Sequence, residues 1–166
     1  MGEEFLVLDG VFSDEHGDYP AGTYVRNPPG SRHAPRTAAG CTIFVKLRQM
    51  QPVEYARCVI DTAYTTWRDG SAPGNHIMPL YADGFERMSF EPLAAGATTA
   101  SSGYSGGQEL FVLKGEPSDR HGNYPAGTWL RRPERYAGKL TAPSAATFWI
   151  KRGHLPTTRP GANDQS

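Results

Sequence analysis

The segment SDEHGDYPAGT at residues 13–23 is written again as SDRHGNYPAGT at residues 118–128. These two stretches are the centre of a longer copy. Gly2 falls on Gly107, and the same 105-residue offset carries Gly10 to Gly115, Tyr19 to Tyr124, Pro28 to Pro133 and Lys46 to Lys151 without a gap. About 18 of 45 aligned positions are identical, where about 3 are expected by chance. Two copies are too few for a solenoid, so the duplication predicts two paired domains or half-domains.

The copied unit reads as β structure. EFLVLDG and ELFVLKG are apolar runs closed by glycine, TYVRNP and TWLRRP follow a turn cluster, and CTIFVKL and ATFWIKR are β-branched and aromatic. Gly17 and Asp18 are expected at a hairpin turn, and Gly22 and Gly127 at a bend or bulge. With 19 Gly and 14 Pro in 166 residues, short strands and many turns suit the chain better than helices. Residues 51–106 hold further strand-like runs with turn signals at Asp69-Gly70 and Pro73-Gly74. Counted from about residue 53, the second unit has a full set of strands, whereas the first lacks its front half. The expected organisation is a partial unit at 1–50, a complete one at 51–152 and a polar, Pro-rich, disordered tail at 153–166. An incomplete first unit leaves the apolar faces of FLVL and TIFV and a strand edge uncovered, which predicts a homodimer.

Lys+Arg and Asp+Glu balance at 17 each and form no basic stripe, so a nucleic-acid partner is not expected. No stretch of about 20 apolar residues is present to span a membrane. The opening MGEEFLVLDG lacks the form of a secretory signal. Two cysteines, Cys41 and Cys58, are too few for a disulfide framework and point to a reducing cytoplasm, with a single bridge between them left open. Trp67, Trp129 and Trp149 are expected in the core. His16 and His121 recur in both copies and are expected to serve the turn, and Arg26 and Arg131 to form ion pairs.

The spacing of particular residues resembles the cupins, double-sheet β-barrels. Their motifs have the forms G(X)5HXH(X)3-4E(X)6G and G(X)5PXG(X)2H(X)3N. In the first copy Glu3, six residues and Gly10 match the end of the first motif. Gly22, Pro28, Gly30 and His33 match the second, with Thr37 at its Asn position. In the second copy Gly96, Ser102, Tyr104, Gln108 and Gly115 keep the spacing of the first motif. Gly127 and Pro133 keep that of the second, with Arg135 and Gly138 where Gly and His are usual. The chain is similar in particular to the ChrR-type cupins, a branch that includes acetylacetone dioxygenase-like proteins.

The resemblance implies an all-β double-stranded β-helix, the cupin jelly roll, with one complete barrel plus the C-terminal half of a second. It implies that Glu3 and His33 are two of four metal ligands, for one divalent Zn or Fe, and that no metal binds the second barrel. There Ser102, Tyr104 and Gln108 replace ligands, and with Arg131 they are candidates for a small-ligand pocket. Two functions follow: a small-ligand-binding or regulatory module with a degenerate metal site, or a metal-dependent dioxygenase of the acetylacetone-cleaving type using the first cupin.

Overall fold

The computed structural model describes residues 2–51, 56–70, 75–99 and 103–155. The chain divides into two compact units, Met1–Thr66 and Trp67–Ser166. In the first, β1 (Glu3–Asp14), β2 (Gly17–Pro20), β3 (Thr23–Asn27), β4 (Cys41–Leu47) and β5 (Cys58–Asp61) form one sheet. Strand β1 is long enough to serve two partners in succession. Its first half lies between β3 and β4, and its second half pairs with β2. Strand β5 pairs antiparallel with β3, which places residues 58–61 in the first unit.

In the second unit, β6 (Arg68–Asp69), β7 (His76–Ala82), β8 (Arg87–Leu93) and β9 (Gln108–Lys114) are followed by the short strands β10 (Ser118–Asp119) and β11 (Gly122–Asn123). Then come β12 (Trp129–Arg132) and β13 (Ala146–Arg152). Six of these form a sheet in the order β12-β9-β13-β8-β7-β6, with β10 and β11 as a separate hairpin. A single 3₁₀ turn at Thr62–Tyr64 is the one helical element among the described residues, and no helix is long and apolar enough to cross a membrane.

The copies superimpose in their irregularities as well as their strands. Pairing of β1 with β4 skips from Val7 to Asp9, and pairing of β9 with β13 skips between Val112 and Lys114, the same place in the repeat. Each bulge is followed by a glycine at positive φ, Gly10 at 72° and Gly115 at 84°. Gly22 N–H donates to Val7 C=O and Gly127 N–H to Val112 C=O, both at 2.8 Å.

The hairpin turn falls on Glu15 and His16, because Asp14 pairs with Gly17. Asp18 therefore lies in β2 and not at the tip. The reason is the aspartate: Asp14 Oδ1 accepts the His16 N–H at 2.8 Å and the Tyr19 hydroxyl at 2.9 Å. Asp119 Oδ1 does the same with the His121 N–H at 2.8 Å and the Tyr124 hydroxyl at 2.7 Å. The repeated histidine contributes its main chain to the turn. Tyr19→Phe and Tyr124→Phe should each cost about 1 kcal/mol of stability in urea unfolding. No loss at either would show that these bonds do not hold the turn.

Alternation along the strands sets the cores. Phe5, Val7 and Val25 share one face with Phe12 and Tyr19, and the Phe5 and Phe12 rings are 4.6 Å apart. In the second unit Leu110, Val112, Phe148 and Ile150 pack with Leu140, Ala142 and Ala146. The residues between them point to the opposite face, where Glu4, Tyr24, Arg26, Glu109 and Lys151 are also buried. Arg26 donates to Glu4 at 2.9 Å and the Tyr24 hydroxyl to the same carboxylate at 2.8 Å, so Arg26 serves an ion pair. Lys151 pairs with Glu86 at 3.0 Å.

The expected uncovered face is present only in part: Phe5, Leu6 and Val7 of FLVL are buried, whereas β4 and β5 carry exposed apolar side chains. Val45, Leu47 and Val59 are 39%, 58% and 45% exposed. Strand β13, the counterpart of β4, pairs on its second edge with β8, whereas β4 pairs with β1 alone among the described residues.

Of the tryptophans only Trp149 is core. Trp67 and Trp129 are 42% and 49% exposed, Trp129 because it points to the opposite face of β12 from Leu130. Both cysteines are free and half-buried. At the expected tail, Leu155 is buried and the His154 side chain reaches Glu109 at 3.0 Å. Residues 156–166 lie outside the described residues.

Candidate functional site

Glu3 and His33 meet. Glu3 begins β1, His33 lies in the loop after β3, and His33 Nε2 is 2.8 Å from Glu3 Oε2. The other ring nitrogen, Nδ1, is 3.3 Å from Asp14 Oδ2. The imidazole thus lies between two carboxylates instead of joining them around a common centre. Arg57 closes the cluster. Its Nε donates to Asn27 Oδ1 at 3.1 Å, and its guanidinium bonds the Tyr19 hydroxyl and lies 3.7 Å from Asp14 Oδ2. Burial raises the Asp14 carboxyl, but hydrogen bonds from His16, Tyr19 and His33 and the nearby Arg57 charge outweigh it and hold it below its ordinary value.

A divalent metal does not fit this arrangement. A ligating imidazole needs a free nitrogen lone pair aimed at the ion. Here both ring nitrogens face carboxylate oxygens, and a guanidinium lies where further positive charge is unfavourable. No group of three His, Cys, Asp or Glu converges to hold an ion among the described residues.

The second unit carries a cavity of about 420 Å³ lined in part by Tyr104 and Gln108. Its floor is apolar, from Leu93, Leu110, Phe148 and Ile150. Its polar groups include Tyr104, Gln108, Glu91, Arg132, Arg152 and Asn75. Strand geometry explains the lining. Gln108 and Leu110 alternate inward on β9, and Phe148, Ile150 and Arg152 on β13, with Arg132 on the same face of β12.

Tyr104 and Gln108 are therefore brought together as the sequence suggests. Arg131 is not with them: it points to the opposite face of β12, half exposed, with its Nε 3.6 Å from Glu109. Ser102 lies outside the described residues.

Sequence reasoning misses Glu91 and Arg152, which occupy the centre of the cavity wall. Arg152 makes a two-pronged contact with Glu91, one arm at 2.8 Å, and its guanidinium lies 4.4 Å over the Tyr104 ring. Ser89 adds a hydroxyl donor to Glu91 at 2.8 Å. Burial raises the Glu91 carboxyl, and its bonds to Arg152 and Ser89 more than reverse that, leaving it below its ordinary value of 4.5.

A carboxyl held low when folded stabilises the fold above its unfolded pKa, and that contribution disappears as pH falls through the folded value. Urea unfolding should therefore show Glu91's contribution intact at pH 6 and fading below about pH 4.5. Glu91→Gln should flatten that part of the profile. An unchanged acid limb in the variant would show that the pair contributes nothing.

A wider depression of about 720 Å³ lies between Ser118–Arg120 and residues 135–141. Its cations, Arg120, Arg135 and Lys139, are exposed, so it is a surface feature.

Comparison with known proteins gives the same architecture. Residues 1–51 and 55–156 each match the sequence model of the ChrR cupin-like domain. A candidate dioxygenase from Nostoc punctiforme aligns over 96% of this chain and 67% of its own, at TM-score 0.71 and 11% identity. A candidate glyoxylate-induced protein from Pseudomonas aeruginosa aligns over 98% of this chain and 68% of its own, at TM-score 0.71 and 12% identity. A candidate acetylacetone dioxygenase from Methylibium petroleiphilum aligns over 70% of this chain and 91% of its own, at TM-score 0.52 and 17% identity. At these identities the likeness shows the fold, an all-β jelly roll. No curated protein matches the chain in sequence.

Proposed function

From the premise that the chain belongs to the ChrR cupin-like family, we propose that it is a small-ligand-binding module whose second unit holds the ligand without a metal. The observation that carries this reading is the cavity of about 420 Å³, with apolar floor and clustered polar wall, inside the range of small-molecule sites. In that wall an ion pair stacked on Tyr104 stands beside positions where the family's metal ligands are usual. Binding by shape, hydrogen bonds and fixed charge needs no open coordination position. The dioxygenase reading requires an ion at the first unit, and the donors around His33 do not suit one.

Fragment screening by methyl NMR tests this. Binders should shift the methyls of Leu110 and Ile150, and Ile150→Trp, which fills the cavity, should abolish binding. Shifts confined to the surface around Arg120 and Lys139 would refute the reading.

The first unit offers a second copy a place to dock. Strand β4 has the sequence CTIFVKL and one edge unpaired among the described residues. Antiparallel pairing of two such strands about Phe44 sets Ile43 opposite Val45 and Cys41 opposite Leu47, so the exposed apolar faces join on one side. Light scattering should show a dimer, and Leu47→Lys should yield a folded monomer. A wild-type chain that stays monomeric at high micromolar concentration would contradict this.

A further inference from the structure

The cavity wall is polar but its charges are matched, and we propose that its ligand is an uncharged molecule with a carboxamide or lactam edge, read by the Gln108 side chain, and an apolar body resting on Leu110, Phe148 and Ile150. This rests on the reading of the cavity as a ligand site. Arg152 makes its two-pronged contact with Glu91, and Ser89 donates to the same carboxylate. The Arg132 guanidinium turns to the Gly138 carbonyl at 3.2 Å and the Tyr136 ring at 4.9 Å, with Asp119 Oδ2 3.7 Å from its Nη2. The arginine nitrogens that lack an acceptor, Arg132 Nη2 and Arg152 Nε, are sealed from solvent and so are not presented to a ligand. An ion entering such a wall would lose its hydration and find no unmatched counter-charge.

The uncharged groups of the lining point the same way. Thr98 Oγ1 is 3.1 Å from Thr141 Oγ1, and Thr99 Oγ1 accepts the Leu140 N–H at 2.9 Å. Arg152 engages both the ring and the hydroxyl of Tyr104. Two carboxamides remain, Gln108 and Asn75, and neither side chain has a hydrogen bond among the described residues. Asn75 precedes β7 and lies outside the strands, whereas Gln108 is held in β9 between Arg132 of β12 and Arg152 of β13. A carboxamide carries an acceptor beside its donors, so its edge pairs with another amide edge through two hydrogen bonds at once. A carboxylate offers acceptors alone. It would satisfy the Gln108 Nε2 donor and set its charge against the Oε1 acceptor. Leu110, two residues along β9, places apolar surface next to that edge.

Methyl NMR titration of the full chain with benzamide, methyl benzoate and benzoate tests this. The three share a ring and differ in the edge they offer: donor with acceptor, acceptor alone, and charged acceptor. Read at the Leu110 and Ile150 methyls, benzamide should bind saturably, and the ester and the acid at least about tenfold more weakly. Gln108→Leu should bring benzamide down to the level of the ester and leave the ester unchanged. Benzoate binding as tightly as benzamide would overturn the uncharged assignment. The ester binding as tightly, or benzamide unaffected by Gln108→Leu, would overturn the pairing with Gln108. In each case the cavity stays a ligand site. If other fragments shift these methyls and none of the three does, the assignment falls alone. If no fragment shifts them, the ligand-site reading falls with it. Should Gln108→Leu not fold, the comparison of amide, ester and acid on the wild-type chain decides.

Discussion

Replacing Arg26 by leucine should lower the unfolding free energy by about 3–5 kcal/mol, because it removes a buried guanidinium that faces a buried carboxylate. The Arg26 and Glu4 side chains are 0% and 2% exposed and 2.9 Å apart. After the change Glu4 retains the Tyr24 hydroxyl. Burial and then the Glu4 charge hold that phenol well above its ordinary pKa, so it stays a donor and cannot replace the lost charge. The copy supplies the control. Arg131, the counterpart of Arg26, is 55% exposed and 3.6 Å from Glu109, so Arg131→Leu should cost about 0–1 kcal/mol. Chemical unfolding of the two variants measures the difference. Equal losses would show that burial does not set the strength of these pairs.

The bulge glycines carry the next largest effect. Gly10 and Gly115 adopt φ of 72° and 84°, and a Cβ there would lie 2.3 Å from the Gly40 carbonyl oxygen and 2.6 Å from that of Ala145. The left-handed conformation costs a non-glycine residue about 1–2 kcal/mol. Displacing the backbone it strikes adds about 1–3 kcal/mol. Gly10→Ala and Gly115→Ala should therefore each lose about 2–5 kcal/mol. Gly30 has φ of 89° and nothing within 4 Å, so Gly30→Ala should show the conformational cost alone. If all three variants lost the same amount, the close approach at the bulge would have no energetic weight.

Much of this architecture is legible in the residues. Period-two alternation in FLVL, TYV and FWI fixes the strands and their inward faces, and glycine spacing fixes the bulges. The site is legible only in part, and the reason lies in the duplication. Residues kept in both copies, such as Asp14 and Asp119 or Gly22 and Gly127, build turns and bulges. Arg131 drew attention because Arg26 matches it, yet a residue kept for the scaffold points to the scaffold. Its neighbour Arg132, where the first copy has Asn27, faces the cavity. Glu91 and Arg152 come from strands about 60 residues apart, and no local spacing announces them. A signal was present nonetheless: Arg152 continues the inward alternation of Phe148 and Ile150, and a charge at the end of such a series needs a buried partner. Asp14 is no more legible, because its contact with His33 joins residues 19 positions apart.

The central proposal is a duplicated jelly roll whose second unit binds its ligand without a metal. Elemental analysis of the full chain, purified after growth with added iron and zinc, tests this most directly. The account predicts far less than one ion per chain, unchanged in His33→Ala. Near-stoichiometric iron or zinc that disappears in His33→Ala would contradict it.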